Sequence, residues 1–262
     1  MSIQHPFEAT VDGLHLRGTC YLPEGVGPFF PTAILFHGFG SCRIEVSGAF
    51  VALARQLAAS GVAVVAYDRA GHGESDGEFF DTSISCDIRH AHAVIETIAR
   101  LGFVDAARLH LVGISLGACV AAVLAAESPL PVASLTLWSV AGLFVDEISS
   151  GFLQGRSLAS LETQGYFDFM GMRMGPAMRD DALRFDLYGR VATYAGPVLI
   201  MHGDADFVPV RYAERLRDVF GPTSRLEVVA GADHGWAQVP HRELVIARTV
   251  EFITSFPTVD TP

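Results

Sequence analysis

The chain has 262 residues, 50% of them hydrophobic and 18% charged, which suits a generous folded core and excludes a disordered or low-complexity chain. Its formal net charge is −11 at pH 7, so neither a nucleic-acid backbone nor an anionic membrane surface is the expected partner. All 18 basic residues are arginine, which excludes a Schiff-base lysine and a phosphate-loop lysine.

The first 22 residues alternate loosely around Asp12-Gly13 and predict a β-hairpin. Apolar runs of strand length follow at residues 32–36, 62–67, 109–112, 135–140 and 198–201, with a further strand at 225–229. Runs without alternation suit strands covered on both faces. Helical patterns lie between them, at 46–60, 85–101, 116–127, 210–220 and 242–256. This alternation predicts an α/β fold, a mostly parallel twisted sheet with helices on both faces. Ligands gather at the carboxyl ends of such strands, so the chemistry is sought in the loops just after each apolar run.

Residues 141–190 break the rhythm and are far longer than an ordinary connection. Four of the six methionines lie here (Met170, Met172, Met174 and Met178), together with aromatics that include Phe144 and Phe169. Methionine-rich apolar surfaces are adaptable. The stretch is read as a cap inserted into a core made of residues 1–140 and 191–262, with Phe144, Phe169 and Met170 as candidate pocket residues. The bland alternative is an added helical layer that only extends the core.

After the run 109–112 comes Gly113-Ile114-Ser115-Leu116-Gly117, then an alanine-rich helical stretch. A strand before and a helix after are what a nucleophile elbow needs. Glycines on either side relieve the crowding of so tight a turn. Leu116 opens the helix, so its N–H is unpaired and points toward developing negative charge. The alternative is a serine in a glycine turn that only packs a helix.

A serine hydroxyl needs a base, and the base needs an orienting acid, expected in the chain order Ser, Asp, His. The run 198–201 leads into His202-Gly203-Asp204-Ala205-Asp206-Phe207-Val208-Pro209. Asp206 lies further past the strand end and is favoured as the acid; Asp204 is expected to fix the loop by local hydrogen bonds. Past the last strand comes Gly231-Ala232-Asp233-His234-Gly235-Trp236, which delivers His234 as the candidate base. Trp236 either walls the pocket or packs against the last helix. The second oxyanion donor is assigned to the amide of Phe39 in His37-Gly38-Phe39-Gly40, beside that of Leu116.

Other motifs are set aside. Gly71-His72-Gly73 is not a dinucleotide fingerprint, because the third glycine is misplaced and no helix starts there. Asp68 and Arg69 are read as a structural pair or loop brace. His90 and His92, two apart on a helix, do not share a face, and His202 with Asp204 is read as turn chemistry. The four cysteines, Cys20, Cys42, Cys86 and Cys119, form no C-x-x-C pair, so no metal or redox dithiol is expected.

The segments HGFG (37–40), GISLG (113–117), HGDADFVP (202–209) and GADHGW (231–236) make the chain similar to the α/β-hydrolase fold family over nearly its whole length. With DRAGHGESDG (68–77) and a cap before the acid-bearing strand, it resembles in particular the cinnamoyl/feruloyl esterase branch. It departs from many esterases in having Ile114 before the serine. The resemblance implies ester hydrolysis by Ser115, His234 and Asp206, without cofactor or metal. An apolar cap favours an aromatic or medium-chain acyl group. The same triad would also serve a thioester, an amide or a carbon–carbon bond, and a ligand-binding protein without turnover is the reading from another class. The expected partner is a small ester substrate, with a homodimer as the candidate assembly. With no basic-then-apolar leader at Met1–Pro6, a cytoplasmic location is expected.

Overall fold

The computed structural model describes residues 3–24 and 29–256. Those parts of the expected core at residues 1–2, 25–28 and 257–262 lie outside the described residues, as do Met1 and Ser2 of the leader reading.

Strands β1 (Ile3–Val11) and β2 (Leu14–Leu22) form an antiparallel hairpin, turned by Asp12 and Gly13 at positive φ. Then β3 (Phe30–Phe36), α1 (Ala49–Ala59), β4 (Ala63–Tyr67), α2 (Ile84–Ala99), β5 (Val104–Ile114), α3 (Leu116–Glu127) and β6 (Val132–Trp138) alternate. Residues 139–197 follow between β6 and the strand that begins at Val198. They hold α4 (Phe144–Ser149), a two-residue-strand hairpin of β7 (Phe152–Leu153) and β8 (Arg156–Ser157), and α5 (Ser160–Gln164). A second hairpin of β9 (Phe167–Phe169) and β10 (Met172–Met174), α6 (Pro176–Ala182) and α7 (Leu187–Val191) complete the stretch. The alternation resumes with β11 (Val198–Gly203), α8 (Arg211–Phe220), β12 (Ser224–Val229) and α9 (Val239–Thr254).

Eight strands make one sheet in the order β1-β2-β4-β3-β5-β6-β11-β12, antiparallel up to β4 and parallel from β4 onward. Every residue of β4 and β11 is buried, as unalternated apolar runs require when both faces are covered. Phe50, Leu53 and Leu57 of α1 and Val245 and Ile253 of α9 cover one face. Ile88 and Ile95 of α2 and Val120 and Leu124 of α3 cover the other. Helix α3 is buried almost all round because α2, α7 and the sheet enclose it. Ser83 starts α2 by accepting the Cys86 amide at 3.2 Å.

Several boundaries differ from the sequence expectation; β5, expected at 109–112, runs from Val104 to Ile114. Helix α9 starts at Val239, three residues early, because Pro240 favours the first turn. Strand β6 ends at Trp138, because Ser139 turns to φ 44°. Among the described residues no helix is long and apolar enough to cross a membrane. The parallel strands point their carboxyl ends to one rim, where the loops after β3, β5, β11 and β12 meet.

Candidate active site

Ser115 sits between β5 and α3 at φ 56°, ψ −125°, a strained conformation for a non-glycine residue. A Cβ at Gly117 would lie 2.2 Å from the carbonyl oxygens of Phe36 and His37, and one at Gly113 2.5 Å from that of Gly117. Only glycine lets α3 approach β3 and β5 so closely, which lifts Ser115 above the sheet.

His234 lies in the loop between β12 and α9. Its Nε2 is 2.9 Å from the Ser115 Oγ, and its Nδ1 is 2.8 and 2.9 Å from the two Asp206 oxygens. The Asp206 side chain is fully buried just after β11 and also accepts the Val208 amide at 2.8 Å. Burial opposes its ionisation, but the hydrogen bond and charge of His234 and the Val208 amide outweigh it and hold the carboxyl below its ordinary range. An ionised carboxylate only accepts, so Nδ1 carries the proton and Nε2 is free to accept from the Ser115 hydroxyl. The Phe207 ring packs 4.2 Å from the imidazole, centroid to centroid.

Asp204 differs from its expected local role. Its Oδ1 accepts the Gly231 amide at 2.6 Å, tying the loop after β11 to the loop after β12. Asp233 accepts from the Ala237 amide at 2.8 Å and so points away from the imidazole. His202 donates from Nε2 to the Val208 carbonyl at 2.8 Å.

Phe39 and Leu116 line the same cavity as Ser115, and among the described residues neither amide finds an acceptor. That cavity has a volume of about 260 Å³. Phe39, Leu143, Phe144, Phe169, Met170 and Phe207 line it, with Ser41, Glu45, Glu147 and Gln154 as polar side chains beside Ser115 and His234. The Phe39 ring lies 4.7 Å from Phe169 and 5.8 Å from Phe144. Met170, 80% exposed, stands at the turn of the β9–β10 hairpin over the mouth.

Trp236 must be corrected as a pocket residue. It is fully buried in the core with Val245 and Ile246 of α9 and does not line the cavity. Sequence reasoning also passed over Phe207, although it directly follows Asp206. Glu45 was missed too, and it carries no motif. It sits at φ 60°, takes the Gly38 amide at 2.5 Å on Oε1 and lines the cavity. Burial pushes its carboxyl pKa up.

Asp68 and Arg69 are not a pair. Successive residues at a strand end point to opposite faces. Asp68 accepts from Arg43 and from the Glu74 amide, whereas Arg69 reaches Asp87 on α2. His90 and His92 diverge toward Asp12 and Glu127, and no cluster of three metal-ligating side chains occurs among the described residues.

His72 supports the loop after β3 by accepting the Gly40 amide on Nε2 at 3.3 Å, while its Nδ1–H donates to the Ala70 carbonyl at 3.0 Å. The bond from Gly40 needs the neutral ring, and burial beside Arg69 lowers its pKa from 6.5 to about 3. The unfolded chain therefore binds this proton first as pH falls. Stability is full above about 6.5 and declines toward 3, by up to about 1.4 kcal/mol per pH unit for one proton. Thermal melting from pH 7.5 to 5 is expected to show the decline, and a smaller one in His72→Gln, whose amide makes the same bonds without titrating. An equal decline in both proteins would contradict this.

The alpha/beta hydrolase family model matches residues 33–248. The fold is similar to that of Est1E from Butyrivibrio proteoclasticus with ferulic acid bound, at a TM-score of 0.86 and 26% identity, covering 95% of this chain and 98% of the other. An uncharacterized protein of Mycobacterium tuberculosis is 26% identical over 249 residues, 94% of this chain and 77% of its own length. The monoacylglycerol lipase abhd6-B of Xenopus laevis is 33% identical over 147 residues, 56% of this chain and 40% of its own length.

Proposed function

The chain belongs to the alpha/beta hydrolase family, and from that premise we propose that it is a serine hydrolase of carboxylic esters with an apolar acyl group, aromatic or of medium chain length. The observation that carries the reading is the unbroken hydrogen-bond chain from Ser115 Oγ through His234 to Asp206 at the wall of an apolar cavity. His234 Nε2 takes the serine proton as Oγ attacks the ester carbonyl. The tetrahedral oxyanion lies between the amides of Phe39 and Leu116. His234 then gives its proton to the departing alkoxide, and the alcohol leaves. A water molecule, deprotonated by the same nitrogen, attacks the acyl-enzyme, and the acid leaves with Ser115 restored. Asp206 holds the ring and stabilises the imidazolium formed in each half.

Residues 141–190 serve in this reading as the cap over a core of 1–140 and 191–262. They supply Leu143, Phe144, Phe169 and Met170 to the cavity wall. Apolar burial there rewards acyl length, at about 0.8 kcal/mol per methylene. A series of p-nitrophenyl esters with matched hydroxycinnamate esters tests this. The kcat/KM is expected to rise by about tenfold or more from acetyl to hexanoyl or cinnamoyl. A preference for acetyl would overturn the acyl assignment. The ferulic acid in the Est1E structure makes hydroxycinnamates the first aromatic esters to try.

A further inference from the structure

The loop after β3 is held by its own His37 and Glu45 and by Arg69, which follows β4. Gly38 donates its amide to Glu45, and its carbonyl accepts two buried donors, Arg69 Nη2 and His37 Nδ1, each at 2.8 Å. Arg69 is itself anchored by an ion pair with Asp87 in the first turn of α2, and both side chains are 2% exposed. The Arg69 amide donates to His37 Nε2 at 2.9 Å, which fixes that ring as the Nδ1–H tautomer.

These bonds decide a direction. In a trans peptide the carbonyl and the next N–H point oppositely, and no cis peptide occurs among the described residues. A Gly38 carbonyl drawn toward Arg69 and His37 turns the Phe39 N–H the other way, to the side where Ser115 lies. Gly38 itself does not choose: glycine tolerates the ψ of either peptide orientation. Flipped, the same peptide would present an oxygen where an oxyanion must sit. The guanidinium also polarises the peptide, which strengthens its N–H as a donor.

We propose that Arg69, anchored by Asp87, is a positioning residue for the oxyanion site, holding the Gly38 carbonyl so that the Phe39 N–H faces Ser115. The inference rests on Ser115 being the nucleophile. It predicts loss in the transition state and not in ground-state binding.

The test pairs two variants of the full chain, assayed with p-nitrophenyl butyrate and with an alkyl trifluoromethyl ketone, to which the Ser115 Oγ adds to form a tetrahedral oxyanion. Arg69→Met with Asp87→Leu replaces a buried ion pair by apolar groups, a change often neutral for folding, so melting should stay within about 5 °C. The kcat is expected to fall by about tenfold or more, with KM held within about threefold and ketone affinity falling in step with kcat/KM. Arg69→Lys keeps the buried charge but replaces a two-nitrogen fork by one point. It should show the same split, and it decides alone if the double variant fails to fold. A folded variant that loses less than about tenfold in kcat, or loses activity through KM, overturns the proposal. Ser115→Ala in the same assay separates the two readings. If it stays active, the serine mechanism is wrong; if it is dead while the Arg69 variants are normal, only this proposal fails.

Discussion

Ser115→Ala is expected to lower kcat on an activated ester by about a millionfold, with melting nearly unchanged. The hydroxyl is the atom that forms and breaks the acyl bond, and no neighbouring side chain replaces it. Folding should survive because the strain at φ 56° belongs to the backbone and is the same for alanine. The Oγ makes its hydrogen bond with a partly exposed imidazole, so no buried group is orphaned. The activity that remains should come from binding and the two amides alone. Steady-state kinetics with thermal melting reads both quantities. Near-normal turnover in a folded variant would remove the serine mechanism.

The second large effect is at Asp206. Asp206→Asn is expected to lower kcat by about ten thousandfold. The asparagine oxygen keeps the Val208 amide, so the loop keeps its form. Its NH2 group would then face His234 Nδ1 and donate to it. That forces the proton onto Nε2, where it opposes the Ser115 hydroxyl instead of accepting from it. Asp204→Asn is the matched control. Its oxygen can still take the Gly231 amide, so kcat should stay within about threefold. Equal losses at the two positions would contradict the assignment of the acid.

What was legible in the sequence is what depends on local chemistry. The order of strands and helices could be read from apolar runs and helical spacing. The tight turn at Ser115 could be read from Gly113 and Gly117, because only glycine permits that approach. Asp206 separates from Asp204 by one turn of loop, close enough to argue from strand ends. The unread features are set at long range. Arg69 and Asp87 are eighteen positions apart and meet only because the chain, after leaving β4, brings α2 back against Arg69. Asp68 and Arg69 invited pairing because they are adjacent, while the strand pleat sends them apart. Trp236 could not be placed by its loop alone, since its φ of 53° turns the indole into the core. The stretch between β6 and β11 was legible as apolar and too long. Its two small hairpins were not, because strands of two or three residues leave no periodicity to read.

The central claim is that Ser115 carries the acyl group during turnover. Rapid quenching of the wild-type protein with a slowly hydrolysed hydroxycinnamate ester, followed by intact and peptide mass measurement, tests it most directly. The account predicts one acyl group per chain, on the peptide that contains Ser115, appearing in step with the first burst of alcohol. Alcohol release with no adduct, or an adduct on a different residue, would contradict it.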